Sequence, residues 1–428
     1  MVGVAAQTLP WRLRLIAAGV VGVALLALDF AARSPAPVAA RAAPVSVATT
    51  PTTPNSSAIT VANIAAITAA NTTPQPPPAG AGKFVLKAQG HIPMPPQTPS
   101  AHASNLLAMP AGHACALMAF WFAGERESAP DVQIAQSCFD RASQTWQAAK
   151  IVVNRHEFGR QLGFGLRRLG NPVAWLDGQG RIHLFVVATG WGGWAASRVL
   201  HLREQNPMSR TSSAPVFGEP SILPLGWLWN LSHLVRGAPL ALADGGMVLP
   251  VYFELGLKYP VALRFDAQGV LLGLTRISSR KSVLQPTLLA LNELHWLALM
   301  RDNRIDGKIA VAQTSDGGQT WRDLRDLNVL NPDASVFAMA YAPWHFLLAH
   351  NSSPKSRQVL DLSESGNGID WSLVHNLARG TLVGTGKDAL AAEFSYPAMA
   401  VTDGSVWVSF TDGRQRIAWQ RFVYEAKP

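Results

Sequence analysis

Charge is scarce in this chain. Asp, Glu, Lys and Arg together make up 15% of its 428 residues, while hydrophobic residues make up 48%. That balance excludes a disordered polyelectrolyte and leaves ample apolar side chain for a large core. Runs of like charge are missing as well. The formal net charge is +9, yet no run of five basic residues occurs and no nucleic-acid motif appears. The excess points to an anionic small ligand or to solubility rather than to nucleic acid. Cysteine is limited to Cys115 and Cys138, so a disulfide-rich scaffold is excluded. No Cys/His spacing suits zinc, and no metal or cofactor is expected. Helical periodicity is little seen beyond the N-terminus. Tyr is rare, at 5 against 14 Trp, whereas 35 Gly and 30 Pro demand frequent turns. Such usage suits short strands stacked face to face.

The N-terminus has its own pattern. Arg12 and Arg14 precede an apolar run from Leu15 to Leu28, and small residues follow, with Ala40-Arg41-Ala42 matching an A-x-A cleavage site. This is the layout of a secretory signal over residues 1–33, or of an uncleaved inner-membrane anchor. The rest of the chain is then expected outside the cytosol, in the periplasm or the medium. Residues 34–82 are rich in Ala, Pro, Thr and Asn with almost no charge, which reads as a disordered linker. Cys115 and Cys138 fall on what read as the two strands of one hairpin centred near Glu127. A disulfide and a pair of buried free thiols are both open there.

Repeats organise the remainder, residues 83–428. "TSDGGQTW" spans Thr314 to Trp321, and weaker relatives are "SESGNGIDW" at Ser363–Trp371 and "SCFDRASQTW" at Ser137–Trp146. Short turns feed apolar strands at six places, beginning at Ala111, Asp177, Asp244, Asn292, Ala342 and Asp403. Each is preceded by another strand-like stretch. Four antiparallel strands repeated six times predict an all-β fold, a six-bladed β-propeller. In the repeat itself, Asp316 is expected to accept hydrogen bonds from turn N–H groups, Gly317 and Gly318 to supply positive φ, and Trp321 to pack against a neighbouring blade.

"TSDGGQTW" resembles the Asp box, the BNR repeat of sialidases (neuraminidases) and their relatives. The resemblance runs from about residue 83 to 427 and is nearest to the bacterial sialidase-like branch, in segments such as "FWFAGERESAPDVQIAQS" and "EFSYPAMAVTDGSVWVSFT". It implies an exo-glycosidase in which an Arg cluster holds the substrate carboxylate, an Asp is acid/base, and a Tyr activated by a Glu is nucleophile. The Asp boxes mark one face of the disc. The connections between second and third strands, and the links between blades, lie on the other and should carry any site.

Carried over residue by residue, the resemblance implies Asp131 as acid/base, Tyr396 as nucleophile and Glu393 as its polarising partner. Arg301 and Arg357 match two of the carboxylate-binding arginines. Arg126 is expected to hold substrate or to order the loop of Asp131. Arg414, His102, Gln285 and Asn351 complete the expected binding set. Several have a structural alternative: Asp131 as a loop cap, Tyr396 as a strand-start aromatic beside Pro397, Glu393 as an ion-pair partner of an arginine, Arg301 and Arg357 as surface ion pairs. The pattern departs from the family where the chain enters blade 1. There, "AHASNLL" places His102 where sialidases carry an Arg, and Arg414 or Arg416 is the available replacement. Convergent guanidiniums suit a carboxylate because the planar fork binds it at two points. Trp191 and Trp194 of "GWGGW" can stack on a sugar or pack in the core.

The expected activity is hydrolysis of terminal acidic sugars from a glycan. The alternatives are a lyase acting on a uronic acid, with a His or Tyr moving the proton, and a propeller that binds a glycan or a protein without turnover.

Overall fold

A computed structural model describes residues 10–32, 40–45, 82–205, 207, 214–226, 230–304, 307–380, 382–383 and 390–426. Six antiparallel sheets form the six blades. The innermost strands are Ser100–Ala108, Arg168–Leu176, His233–Val235, Val283–Ala290, Phe337–Ala342 and Phe394–Thr402. Five blades are built from consecutive strands. The sixth is closed by the N-terminal strand Gly82–His91, which pairs with the C-terminal strand Arg416–Ala426. The ring is thus latched by the two ends of the propeller sequence, which removes an open seam between the first and last blades.

The second strand of each blade explains why alternation is weak in the sequence. Cys115–Gly124 is buried at every position, as is Ile182–Thr189. A blade sandwiched between two others buries both faces, so its central strands read as continuous apolar runs.

The Asp-box turn behaves as its residues predict. Asp316 accepts from the Thr320 backbone N–H at 2.9 Å, Gly317 and Gly318 sit at φ 70° and 85°, and the Trp321 indole donates to the Gly318 carbonyl at 3.2 Å. Trp321 packs on a cluster shared by blades 3 and 4. In the relative at Ser363–Trp371, Asn367 takes the place of the Asp and Trp371 repeats the indole bond to Gly368. Trp146 of the third copy instead lies in a short strand, Thr145–Trp146.

Some details settle what the sequence left open, and others differ from expectation. Cys115 and Cys138 form a disulfide. The hairpin register, however, pairs Met118 with Cys138 and shifts between Cys115 and Leu117. The turn is therefore centred on Ser128, and the bulge brings the two cysteines into reach diagonally. An eight-residue helix, Arg155–Leu162, links blades 1 and 2. It is too short for a visible 3.6-residue period, but its ends are marked: Asn154 caps the start and Gly163 closes it at φ 73°.

At the N-terminus, Trp11–Ala32 is helical. Among the described residues no helix is long and apolar enough to cross a membrane. Most of the expected linker over 34–82 lies outside the described residues. Residues 40–45 are docked rather than free. Ala40 and Ala42 are buried, Ala42 bridges Leu242, and Arg41 pairs with Glu293 at 2.7 Å.

Buried histidines give the fold a pH dependence. His183 stacks on His201, with Nδ1 to Nε2 at 2.8 Å, and its other nitrogen meets Asp177 at 3.2 Å. Burial, then His183 and Arg203, lower His201 to about 3. His102, His183 and His350 are lowered too, with burial the first cause in each. A ring with a depressed folded value stays neutral while the unfolded chain takes up its proton near the ordinary 6.5. Stability is thus fully present above that value and is lost as the pH falls below it. For His201 alone the loss by about pH 5 is ~2 kcal/mol. The melting temperature should therefore fall steadily from about pH 7 to about pH 5, well before the carboxylates titrate. A flat profile there would mean that these rings accept protons in the folded state.

Candidate active site

Four of the six innermost strands share an irregularity. Register shifts fall between His102 and Asn105, Gly170 and Val173, Leu284 and Thr287, and Ser395 and Ala398. In each bulge one non-glycine residue is left-handed: Ala103 at φ 55°, Asn171 at 42°, Gln285 at 52° and Tyr396 at 53°. Such backbone is costly for residues with a Cβ, and bulges re-aim side chains. His102, Gln285 and Tyr396, read from sequence as link or strand-start residues, therefore belong to strained bulges inside the innermost strands.

Two of the bulges meet. Gln285 of blade 4 donates its amide to the Tyr396 hydroxyl of blade 6 at 3.1 Å and to the Tyr252 hydroxyl of blade 3 at 3.3 Å. Its carbonyl oxygen accepts from Arg301 at 3.2 Å. The His102 ring lies 4.3 Å from the Tyr396 ring, tilted by 55°. Burial, then Arg414, Arg357 and Arg236, hold His102 well below 6.5. It is a neutral imidazole, and its buried Nδ1 has no partner.

Arginines surround this group. Arg301 donates to Asp333 at 2.6 Å. Burial works against its charge, but Asp333, Tyr396 and Tyr252 together outweigh burial and keep Arg301 above its ordinary value. Arg357 donates to Glu393 at 3.1 Å and to the Asp333 carbonyl at 2.7 Å. Arg414 grips Glu393 with Nε at 2.8 Å and Nη2 at 3.0 Å, and also meets Glu127. Glu393, which the resemblance implied as the partner of Tyr396, is thus an anchor for two guanidiniums.

The fourth arginine escaped the sequence reading. Arg236, just past the inner strand of blade 3, is 2% exposed. It reaches across the axis to the Pro397 carbonyl at 2.7 Å and the Ser104 carbonyl at 3.3 Å, with its guanidinium 5.2 Å from the centre of the Tyr396 ring. Burial lowers it to about 10, opposed by Tyr396 and Tyr252. It stays charged at neutral pH, and among the described residues no carboxylate pairs with it. The one available clue was a lone charge in the apolar stretch "SHLVRGAPL".

The charges at the axis do not cancel. Arg236, Arg301, Arg357, Arg414 and Lys258 face Asp333, Glu393, Glu127 and Glu254. Five cations against four anions leave one positive charge, and Arg236, which no carboxylate pairs among the described residues, carries it.

The remaining expected residues are dispersed. Arg126 is exposed in the wall of a cleft of about 660 Å³ between blades 1 and 6, lined also by Glu127, Ser128 and Arg414. Asp131 is exposed and caps its loop, accepting from the Glu125 N–H at 2.7 Å. Asn351 spends its amide on the Val359 and Phe394 carbonyls, at 2.9 Å each. Arg416 lies beside Asp412 at 3.5 Å.

Residues 115–408 match the BNR repeat-like domain family. The chain is a member of that family. No curated protein matches the BNR chain. Among solved structures it is similar to Hadza microbial sialidase Hz136, at 15% identity and TM-score 0.60 over 76% of this chain and 66% of that one. Trypanosoma rangeli sialidase in complex with sialic acid gives 13% identity and TM-score 0.59 over 81% and 59%. A Dyadobacter fermentans protein of unknown function gives 12% and 0.59 over 80% and 99%. The BNR chain thus spans about two thirds of the first sialidase and less of the second. At these identities the likeness is one of fold.

Proposed function

We propose that this BNR propeller is an exported glycosidase of sialidase type that removes a terminal sugar bearing one carboxylate. The observation that carries this reading is the uncompensated positive charge at the axis, centred on buried Arg236. A buried guanidinium without an anionic partner is costly, and a substrate carboxylate would supply the missing charge and a two-point acceptor. Tyr396, against the guanidinium of Arg236, is the proposed nucleophile. Asp131, at the end of the loop lining the cleft, is the proposed proton donor to the leaving oxygen. Attack by Tyr396, its phenol proton passing to His102, forms a bond to the anomeric carbon as the glycosidic C–O bond breaks and Asp131 protonates the leaving oxygen. Water then cleaves the glycosyl-tyrosine, its proton going to Asp131 while the phenolate recovers its own from His102. The sialic acid complex of the trypanosomal relative supports an acidic sugar. The disulfide supports a compartment outside the cytosol.

One observation favours a second reading. The Tyr396 hydroxyl is held by an amide, and the unpartnered neutral imidazole beside it is His102. That pair suits β-elimination on a uronic acid. His102 would take the C5 proton, the C–H electron pair would form the new double bond, and the C4–O bond would break with its oxygen protonated by Tyr396.

A single experiment separates the two. The purified chain is incubated with a fluorogenic sialic acid glycoside and, separately, with an oligogalacturonate. Release of the fluorophore supports the hydrolase, and an unsaturated, ultraviolet-absorbing product supports elimination. Binding of free sialic acid or galacturonate without either product would leave a carbohydrate-binding propeller.

A further inference from the structure

Away from the axis, a second cationic surface lies on the link between blades 1 and 2. The helix Arg155–Leu162 and the residues after it enclose a cavity of about 340 Å³ lined by Arg155, His156, Arg160 and Phe164. Arg155 is tied to the Leu166 carbonyl at 3.3 Å, and Arg198 lies over the Phe164 ring at 5.1 Å. Next to it, in the connection between the second and third strands of blade 2, Trp191 is 84% exposed. The Arg167 guanidinium stacks on it 3.9 Å from the ring centre. Among the described residues, none of Arg155, Arg160, Arg167 and Arg198 forms an ion pair, whereas the axial arginines 301, 357 and 414 all do. Glu157 is the lone acidic residue in the stretch 155–168.

The aromatic is equally unusual. Trp191 is the one strongly exposed aromatic among the described residues of the propeller. Its neighbour Trp194 took the other role open to the motif: it is part-buried and donates to Ser128 at 3.1 Å. Ser128 also lines the cleft, so the Trp191 loop is fastened to the wall of the proposed active site.

We propose that Trp191, Arg167 and the Arg155–Arg160 cavity form a second binding site, for an anionic sugar unit of an acidic oligosaccharide whose end enters the cleft. One face of Trp191 is covered by Arg167 and the other is open. The open face suits the C–H face of a pyranose, and the guanidinium edges suit a carboxylate or sulfate on the same chain. A single platform matches one sugar ring better than a nucleic acid, which needs a row of aromatics for successive bases. The site acts by binding and does not require the cleft to be catalytic.

The test uses the full chain. Hexagalacturonate, a heparin hexasaccharide and a thymidine hexanucleotide are titrated calorimetrically into the wild type and into Trp191→Ala and Arg160→Glu. At least one acidic hexasaccharide should bind, and each variant should weaken it by about tenfold. Any turnover of a monosaccharide glycoside should stay unchanged, because neither residue touches the axis. Failure of both hexasaccharides to bind, equal affinity in Trp191→Ala, or hexanucleotide binding as tight as the better sugar would each overturn the proposal.

Discussion

Tyr396→Phe should lower turnover of the acidic glycoside by roughly 10³-fold while leaving affinity for the free sugar nearly unchanged. The change removes one oxygen and keeps the ring that packs beside His102 and under Arg236. Hydroxyl loss cannot disturb the carboxylate grip of the arginines, so the effect should fall on the chemical step. The hydroxyl proton has no carboxylate to go to, since Glu393 is held by Arg357 and Arg414. Gln285 meets the hydroxyl with its N–H, while its oxygen is taken by Arg301. The adjacent base with a free nitrogen is His102. Steady-state rates and calorimetric affinities measured side by side decide the matter. Full activity in Tyr396→Phe would make the Gln285–Tyr396 bond a structural tie between blades 4 and 6 and nothing more.

The parts of this arrangement legible in the sequence are those written in short segments. An Asp-box turn is a contiguous pattern of Asp, two glycines and Trp, each with a local job, and blades 4 and 5 could be counted from it. Arg301, Arg357 and Tyr396 were named by carrying the family resemblance over to their places in the sequence. What failed to show depends on contacts between distant segments. Gly82–His91 closes blade 6 across more than three hundred residues of sequence, and no local signal announces that. The bulges at Ala103, Asn171, Gln285 and Tyr396 lie in strands with no glycine at the left-handed position, so the usual marker of positive φ is missing. A separate shift, in the second strand of blade 1, displaced the expected register of the cysteine hairpin. Arg236 was hidden for the same reason as the charge balance: its partners, Ser104 and Pro397, come from blades 1 and 6.

Strain and unpaired charge coincide at the axis. Rigid blades can hold four left-handed bulges because each lies in a strand ladder-bonded to the second strand of its blade, and the same rigidity keeps Arg236 out of water. Neither feature helps the propeller fold, and that separates a site from a core. His102 occupies the place where the family resemblance implied an arginine, and Arg236 brings a guanidinium toward the same tyrosine from blade 3.

Arg236→Met makes this separation measurable. Truncating a buried charge that pairs with a ligand typically costs ~3 kcal/mol, so affinity for the acidic sugar should drop on the order of 100-fold. Stability should move little. The variant leaves the Ser104 and Pro397 carbonyls without donors, which costs about 1–3 kcal/mol, but it also removes an unpaired buried cation and fills the space with apolar atoms, a gain of similar size. The expected result is a protein with a near-normal melting temperature that no longer binds free sialic acid or galacturonate. Loss of both stability and binding would instead make Arg236 a strut between blades 1, 3 and 6. Retained binding would move the carboxylate site to Arg301, Arg357 and Arg414, whose charges are already matched by Asp333, Glu393 and Glu127, and would remove the main argument for an anionic substrate at the axis.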